Sequence, residues 1–324
     1  MLKNKKIIIA GGTGFIGQAL AAYFGKENKI VVLGRQIADA TNNAYGHILA
    51  QKNVKYVYWD AKTQGDWSKE ISGADLVINL AGKSVNCRYT VKNKQEIFDS
   101  RTFSTNAIGQ AIQHAKAPPK VWINAASATI YRHALDRPQD ELTGEIENDF
   151  SVQVCKKWEQ SFFSEETPFT RKIALRMAIT LGDRGVIVPY FNLLKFGLGG
   201  QQGDGKQMYS WVHIMDVCRM VEWACENQDI TGVYNCSSPN PLPNKDFMDI
   251  LRKVCGHKFG LPAYAWMLKI GTKIIGTEPE LVLKSRWVIP TKALQAGFIF
   301  QYPLLKDALE EIVSKTPRKK YHLF

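Results

Sequence analysis

Gly11, Gly14 and Gly17 punctuate the segment Gly11-Gly12-Thr13-Gly14-Phe15-Ile16-Gly17, which lies between the apolar run Ile7 to Ala10 and the helical pattern Gln18 to Phe24. Placed between a strand and a helix, glycines at this spacing permit a tight turn, let backbone approach a pyrophosphate, and let the helix sit close to the strand. The helix N-terminus then turns unpaired N–H groups toward the anion. The spacing predicts a dinucleotide site, with Thr13, Phe15 and Ile16 as part of the loop. The next strand end reads Leu33-Gly34-Arg35-Gln36 and carries no acidic residue to bond a ribose 2′-hydroxyl. Arg35 instead offers a planar fork that suits a phosphate and can stack on adenine. NADP(H) is therefore expected in preference to NAD(H).

Other reactive residue types fall into less telling patterns. The six cysteines, Cys87, Cys155, Cys218, Cys225, Cys236 and Cys255, form no C-x-x-C pair and no zinc-ligand spacing with the histidines, so no metal is expected. Cys155, beside Lys156 and Lys157, invites a nucleophile reading, but a helix cysteine is usually inert core. His213 and Asp216 stand at an expected helix start, where Asp216 can cap exposed N–H groups. Trp158, Trp211, Trp223, Trp266 and Trp287 fall in apolar helices or helix entries and read mainly as core.

The elements that must position these residues follow from the apolar runs. Ile7–Ala10, Ile30–Leu33, Val54–Trp59, Leu76–Asn79, Val121–Ile123 and Ile173–Arg176 are strand-length and are separated by helix-length segments. That rhythm implies βαβ units and a parallel sheet, α/β and doubly wound, with both faces covered. After Thr180 it gives way to the glycine-rich Phe196-Gly197-Leu198-Gly199-Gly200 and Gly203-Asp204-Gly205, then Trp211-Val212-His213 and a return to the sheet at Gly232–Asn235. Helices are expected over Asp246–Cys255, Ala263–Ile275 and Leu304–Val313. Residues 1–181 and 211–236 are assigned to the cofactor-binding domain, 182–210 and 237–313 to a smaller, mostly helical substrate-side domain, and 314–324 to a basic tail.

Bulk properties narrow the class. The chain has 324 residues, 45% hydrophobic and 22% charged, which excludes a disordered or fibrous protein. Its 42 Lys and Arg against 30 Asp and Glu leave a net charge of +12, which favours anionic partners such as nucleotides. The basic residues are scattered, so no nucleic-acid partner is expected. No segment approaches a membrane span, and the run before the first glycine is too short for a signal peptide. A cytoplasmic location and no membrane partner are expected.

Taken together, these residues resemble the extended short-chain dehydrogenase/reductases, the NAD(P)-dependent epimerase/dehydratase superfamily. The landmarks are the glycine spacing, Asp60, Asn79-Leu80-Ala81-Gly82, Ser127-Ala128-Thr129-Ile130-Tyr131, Arg176, Gly203-Asp204-Gly205 and Trp211-Val212-His213 with Asp216. Arg88-Tyr89-Thr90, Glu96, Ser100-Arg101, Thr105, Lys157-Trp158-Glu159, Ile289-Pro290 and Ala296-Gly297-Phe298 are similar to the YfcH-like branch, a sugar-nucleotide epimerase family. The resemblance implies a Rossmann domain whose cofactor site comprises the glycine loop, Gly34, Arg35, Asp60, Leu80, Ala81, Gly82, Glu96 and Arg101. On a helix, positions 96 and 101 lie within about 140° of each other and can border one groove. Arg101 could then pair with the pyrophosphate and Glu96 with a ribose hydroxyl.

The resemblance also implies a Ser or Thr, a Tyr, and a Lys four residues after that Tyr. Ser127 matches the first, a hydroxyl able to bond a substrate oxygen. Counting back from Glu159, the Tyr and Lys positions fall on Ser151 and Cys155. The pairs Tyr58/Lys62 and Tyr302/Lys306 have the spacing but lie in the adenine-side strand and the C-terminal region. A proton donor must come from elsewhere: Tyr131 is the catalytic candidate beside Ser127, with Lys83, Arg88 and Tyr89 in the loop after Gly82 as further choices. Two functions are expected to compete. One is an NADP(H)-dependent oxidoreductase or epimerase acting on a hydroxyl- or carbonyl-bearing small molecule such as a nucleotide sugar. The other is a non-catalytic NADPH-binding regulatory protein.

Overall fold

Side chains alternate across a strand, and in the first strand both sets are buried. Ile7 and Ile9 join one apolar cluster while Ile8 and Ala10 join another, so β1 (Lys6–Ala10) is covered on both faces. The computed structural model describes residues 2–35, 52–264, 266–268, 278 and 280–323. Within it, β1, β2 (Lys29–Gly34), β3 (Val54–Tyr58), β4 (Leu76–Asn79), β5 (Val121–Ser127), β6 (Arg171–Met177) and the later Gly232–Cys236 form one sheet. The spatial order is β3-β2-β1-β4-β5-β6 and then Gly232–Cys236, with every pairing parallel. The doubly wound α/β expectation is met. The order reverses between β1 and β4, which opens the crevice where such sheets receive ligands.

Helix α1 (Phe15–Phe24) packs on one face, where Leu20 and Phe24 meet Val32, Ile78 and Ile123. The opposite face is covered by α2 (Val91–Gln113) and α3 (Phe150–Ser164), which bring Ile108, Ile112 and Phe162 against Val31, Val77 and Trp122. Burial on both faces was expected of every strand, and β3 departs from it. It is the edge strand, and Tyr58 at its end is exposed.

Beyond β6 the chain builds a further cluster around Tyr190, Phe191, Tyr209, Trp211, Phe247 and Leu309. It joins α4 (Ile187–Lys195) to the later helices Asn244–Val254 and Leu305–Ser314. The helix expected over Ala263–Ile275 lies largely outside the described residues, and Trp266, read as core, is exposed. Its side chain meets solvent because an apolar residue type alone does not assign a face.

Asp216 departs from its expected role as a cap. The start of α5 (Ile214–Glu226) is capped by His213, whose Nδ1 accepts the Met215 N–H at 3.2 Å. Asp216 lies inside the first turn and is fully buried, so its carboxylate reaches outward and accepts the N–H groups of Gln301 at 2.7 Å and Tyr302 at 2.9 Å. The carboxylate thus ties the C-terminal segment to the helix. Asp216→Ala orphans two backbone donors and should lower unfolding stability by about 3 kcal/mol. Urea titration checks this, and a loss below about 1 kcal/mol would mean that both donors find other partners.

Candidate functional site

The glycine loop folds as its spacing predicts, and the reason is steric. Gly11 has φ +73°, and a Cβ there would lie 3.0 Å from the backbone of Leu80 and Ala81. A Cβ on Gly17 would come within 2.5 Å of the Gly12 Cα, so the first turn of α1 rests directly on the loop. Gly14 is the N-cap and supplies no side-chain bond, which leaves the N–H groups of the first helical turn without a capping oxygen. Gln18 braces the loop by donating to the Thr13 carbonyl at 2.6 Å, and Arg184 donates to Gln18 Oε1 at 2.8 Å. The cradle suits a pyrophosphate.

A cavity of about 390 Å³ opens from this loop. Gly11, Thr13, Gly14, Gly34, Arg35, Asp60, Leu80, Ala81 and Gly82 of the expected set line it. Leu33, Trp59, Ala61, Lys62, Ser100 and Phe103 line it as well, and none of these was assigned to the cofactor site from the sequence. Phe15, Ile16 and Gly17 act from behind. Phe15 closes on Gly182, where a Cβ would lie 2.6 Å from its ring, and Ile16 packs against the sheet core.

Asp60 is bound into its own turn, accepting from the N–H groups of Lys62 and Thr63 at 2.9 Å each and from the Thr63 hydroxyl at 2.6 Å. Partial burial works against its ionisation, yet these bonds prevail and hold the carboxyl below its ordinary range. Lys62 reaches over the Phe103 ring, 5.0 Å from its centroid. The loop after β4 is held by Asn79, fully buried, which accepts the Ala81 N–H at 3.0 Å and donates to Asn124 at 2.8 Å and Thr105 at 3.3 Å.

Glu96 and Arg101, expected to border the groove, are not part of the cavity wall, although Arg101 packs behind Gly82, which is. Glu96 pairs with Lys83, and that hydrogen bond holds its carboxyl low. Arg101 packs against Gly82, donates to the Lys83 and Ile97 carbonyls at 3.1 and 3.0 Å, and stacks on Trp158 at 5.0 Å. Burial lowers its guanidinium from the ordinary value. Their helix contributes Ser100 and Phe103 to the cavity wall instead.

Ser127 ends β5 half-buried, its hydroxyl accepting the Thr129 N–H at 3.2 Å. Cys155 is its hydrogen-bonding neighbour, and burial pushes that thiol up to about 11 with Glu159 adding to the effect. A thiol so held is a poor nucleophile at neutral pH. Tyr131 is 1% exposed. Its hydroxyl donates to Asn235 at 3.0 Å and accepts from Arg176 at 2.8 Å, and Arg176 in turn forms a two-pronged pair with Glu159, each bond 2.8 Å. Burial pushes the phenol up to about 12 despite Arg176. Tyr131 is thereby committed to bracing the sheet against α3. Among the described residues no cluster of acidic, His and Cys side chains could hold a metal ion, and no helix is long and apolar enough to cross a membrane.

Comparison with known proteins agrees with this geometry. Residues 7–152 match the pattern of the NAD dependent epimerase/dehydratase family, and residues 265–312 match a domain of unknown function. Epimerase family protein YfhF of Bacillus subtilis is 32% identical over 312 residues, which is 95% of this chain and 98% of that protein. Epimerase family protein SSP1921 of Staphylococcus saprophyticus is 34% identical, over 95% of this chain and 99% of that protein. The crystal structure of human epimerase family protein SDR39U1 with NADPH is similar at a TM-score of 0.81 and 25% identity, covering 96% of this chain and 99% of that one.

At about pH 8 a thiol with the acidity of Cys155 is ionised to about one part in a thousand. In the native protein Ellman's reagent should therefore label the half-exposed Cys87 first and reach Cys155 only after denaturation. Disappearance of a fast-reacting thiol in Cys155→Ser would restore the nucleophile reading.

Proposed function

The chain belongs to the NAD dependent epimerase/dehydratase family, and from that premise we propose that it is an NADP(H)-binding oxidoreductase or epimerase acting on a hydroxyl- or carbonyl-bearing small molecule, such as a nucleotide sugar. The observation that carries the cofactor choice is the adenine end of the cavity. Arg35 and Lys62 both line it, while the carboxylate beside them, Asp60, is spent on the N–H and hydroxyl groups of its own turn. Two cations and an occupied carboxylate favour a 2′-phosphate over a free 2′-hydroxyl. The NADPH in the human relative supports the same choice.

The pyrophosphate would lie on the loop Gly11–Gly14 and the open N-terminus of α1, with Leu80, Ala81 and Gly82 flanking the path toward Ser127. When bound, the nicotinamide supplies reversible hydride chemistry. Ser127 then serves as the hydroxyl that bonds the substrate oxygen. We place the substrate side over residues 182–210 and 237–313, and the six unpaired cysteines suit a reducing, cytoplasmic setting. A regulatory NADPH-binding protein is the second reading, favoured by Ser151 and Cys155 at the dyad positions and by the fully engaged Tyr131.

Arg35→Ala should weaken NADPH binding by about 10- to 100-fold, the worth of one charge-assisted bond, and leave NADH binding within about threefold. Titration with both nucleotides measures the ratio, and an unchanged ratio would remove NADP(H) in favour of NAD(H). Lys62→Ala should shift the ratio in the same direction by a smaller factor.

A further inference from the structure

Helix α3 offers Ser151 and Cys155 where a tyrosine and a lysine would be needed, yet a phenol reaches the same place from a different element. Tyr89, in the loop between β4 and α2, packs its ring edge-on against Phe150 with centroids 4.8 Å apart. Its hydroxyl is within hydrogen-bonding reach of the Ser151 hydroxyl, and Ser151 donates onward to Glu280. The loop is tethered from the same side: the Tyr89 N–H donates to Glu278 Oε1 at 2.8 Å, and Arg88 lies 3.3 Å from the other oxygen of that carboxylate.

Fixed positive charge also converges here. Arg101 stands between Gly82, at the end of the cofactor cavity, and Trp158, one turn beyond Cys155. Arg286 approaches from the chain following Glu280, and its Nη1 is fully enclosed with no hydrogen-bond partner among the described residues. Both guanidinium groups act electrostatically on Tyr89 and Cys155, and Arg286 also feels Glu280 and Asp149. An enclosed cation without a bonding partner is costly unless it acts on something nearby.

On the NADP(H) reading above, on which this inference rests, we propose that Tyr89 is the proton-transferring catalytic residue. Ser151 and Glu280 are its positioning residues, and Arg101 with Arg286 supply the positive charge that a lysine would otherwise bring. A bound reduced nicotinamide would supply a hydride to the substrate carbonyl carbon, with the C=O π electrons moving onto oxygen. The Tyr89 O–H bond breaks to protonate that oxygen, giving an alcohol, oxidised cofactor and a phenolate that regains its proton from water. Burial, reinforced by Glu280, Cys87 and Glu278, raises the phenol above its ordinary value. Protonated at neutral pH, Tyr89 can donate its proton to a substrate oxygen.

The test needs no substrate. The protein is labelled with 3-fluorotyrosine, whose fluorine brings phenol ionisation to a lower pH, and its fluorine NMR spectrum is titrated with saturating NADP⁺ and again with NADPH. Tyr89→Phe identifies the resonance by its loss, and Ser151→Ala identifies it independently by shifting it. Only the oxidised nicotinamide ring carries a positive charge, so Tyr89 should titrate about one pH unit lower with NADP⁺ than with NADPH. Ser151→Ala should move the titration with both nucleotides, which a serine with no contact to the phenol would not do. Equal titration with both nucleotides demonstrably bound overturns the role of Tyr89 and leaves the cofactor assignment standing. Failure of either nucleotide to bind overturns the cofactor assignment and this role with it.

Discussion

Backbone-to-backbone contact at the glycine loop is the constraint on which the rest of the molecule depends. Gly17 meets Gly12 and Gly11 meets Leu80–Ala81 so closely that a single Cβ at either glycine would collide with main chain. Main chain cannot swing aside as a side chain can. The contact therefore sets where α1 starts, how close it lies to β1, and where its unpaired amides point. The loop after β4 must then be held in one shape, and the buried Asn79, Asn124 and Thr105 hold it. A cavity along the strand ends follows from these two facts.

Two of the charges buried around that frame tie distant segments together. Arg176 joins β6 to α3 through Glu159 and to Tyr131, and Asp216 joins α5 to residues 301 and 302. Such groups are costly when alone and useful when every bond is made, because each then accepts only one arrangement of its neighbours. Arg286 differs, since its enclosed Nη1 has no bonding partner among the described residues. Its charge acts on Glu280, Asp149, Cys155 and Tyr89.

The site also differs from the usual Tyr and Lys pattern in the groups that α3 presents. Position 155 has become a buried thiol and position 151 a hydroxyl bonded to Glu280. Helix α3 itself is unchanged as a scaffold, capped by Asp149 through the Val152 N–H at 2.9 Å and buried along Val152, Cys155 and Phe162. Tyr89 comes to this helix from outside it, its ring against Phe150 and its hydroxyl near Ser151. Function in this fold depends on where an atom stands, whichever element delivers it.

The local sequence alone determined the sheet, the glycine loop and the cation at the end of β2. Each of these is decided within a few residues, by continuous apolar runs, by positions that tolerate no Cβ, and by the residue that follows a strand. Cys155 could likewise be read as inert from its place in a helix. Only the tertiary structure decided what depends on segments far apart in the chain. It turned Tyr131 toward Asn235 and Arg176, moved Glu96 onto Lys83, put Ser100 and Phe103 in the cavity wall, and brought Lys62 beside Arg35. It also placed Tyr89 and Glu280 on either side of Ser151. No spacing rule could reveal these, because a hydrogen bond or a shared cavity depends on distance in space, and the folded sheet sets that distance independently of separation along the chain.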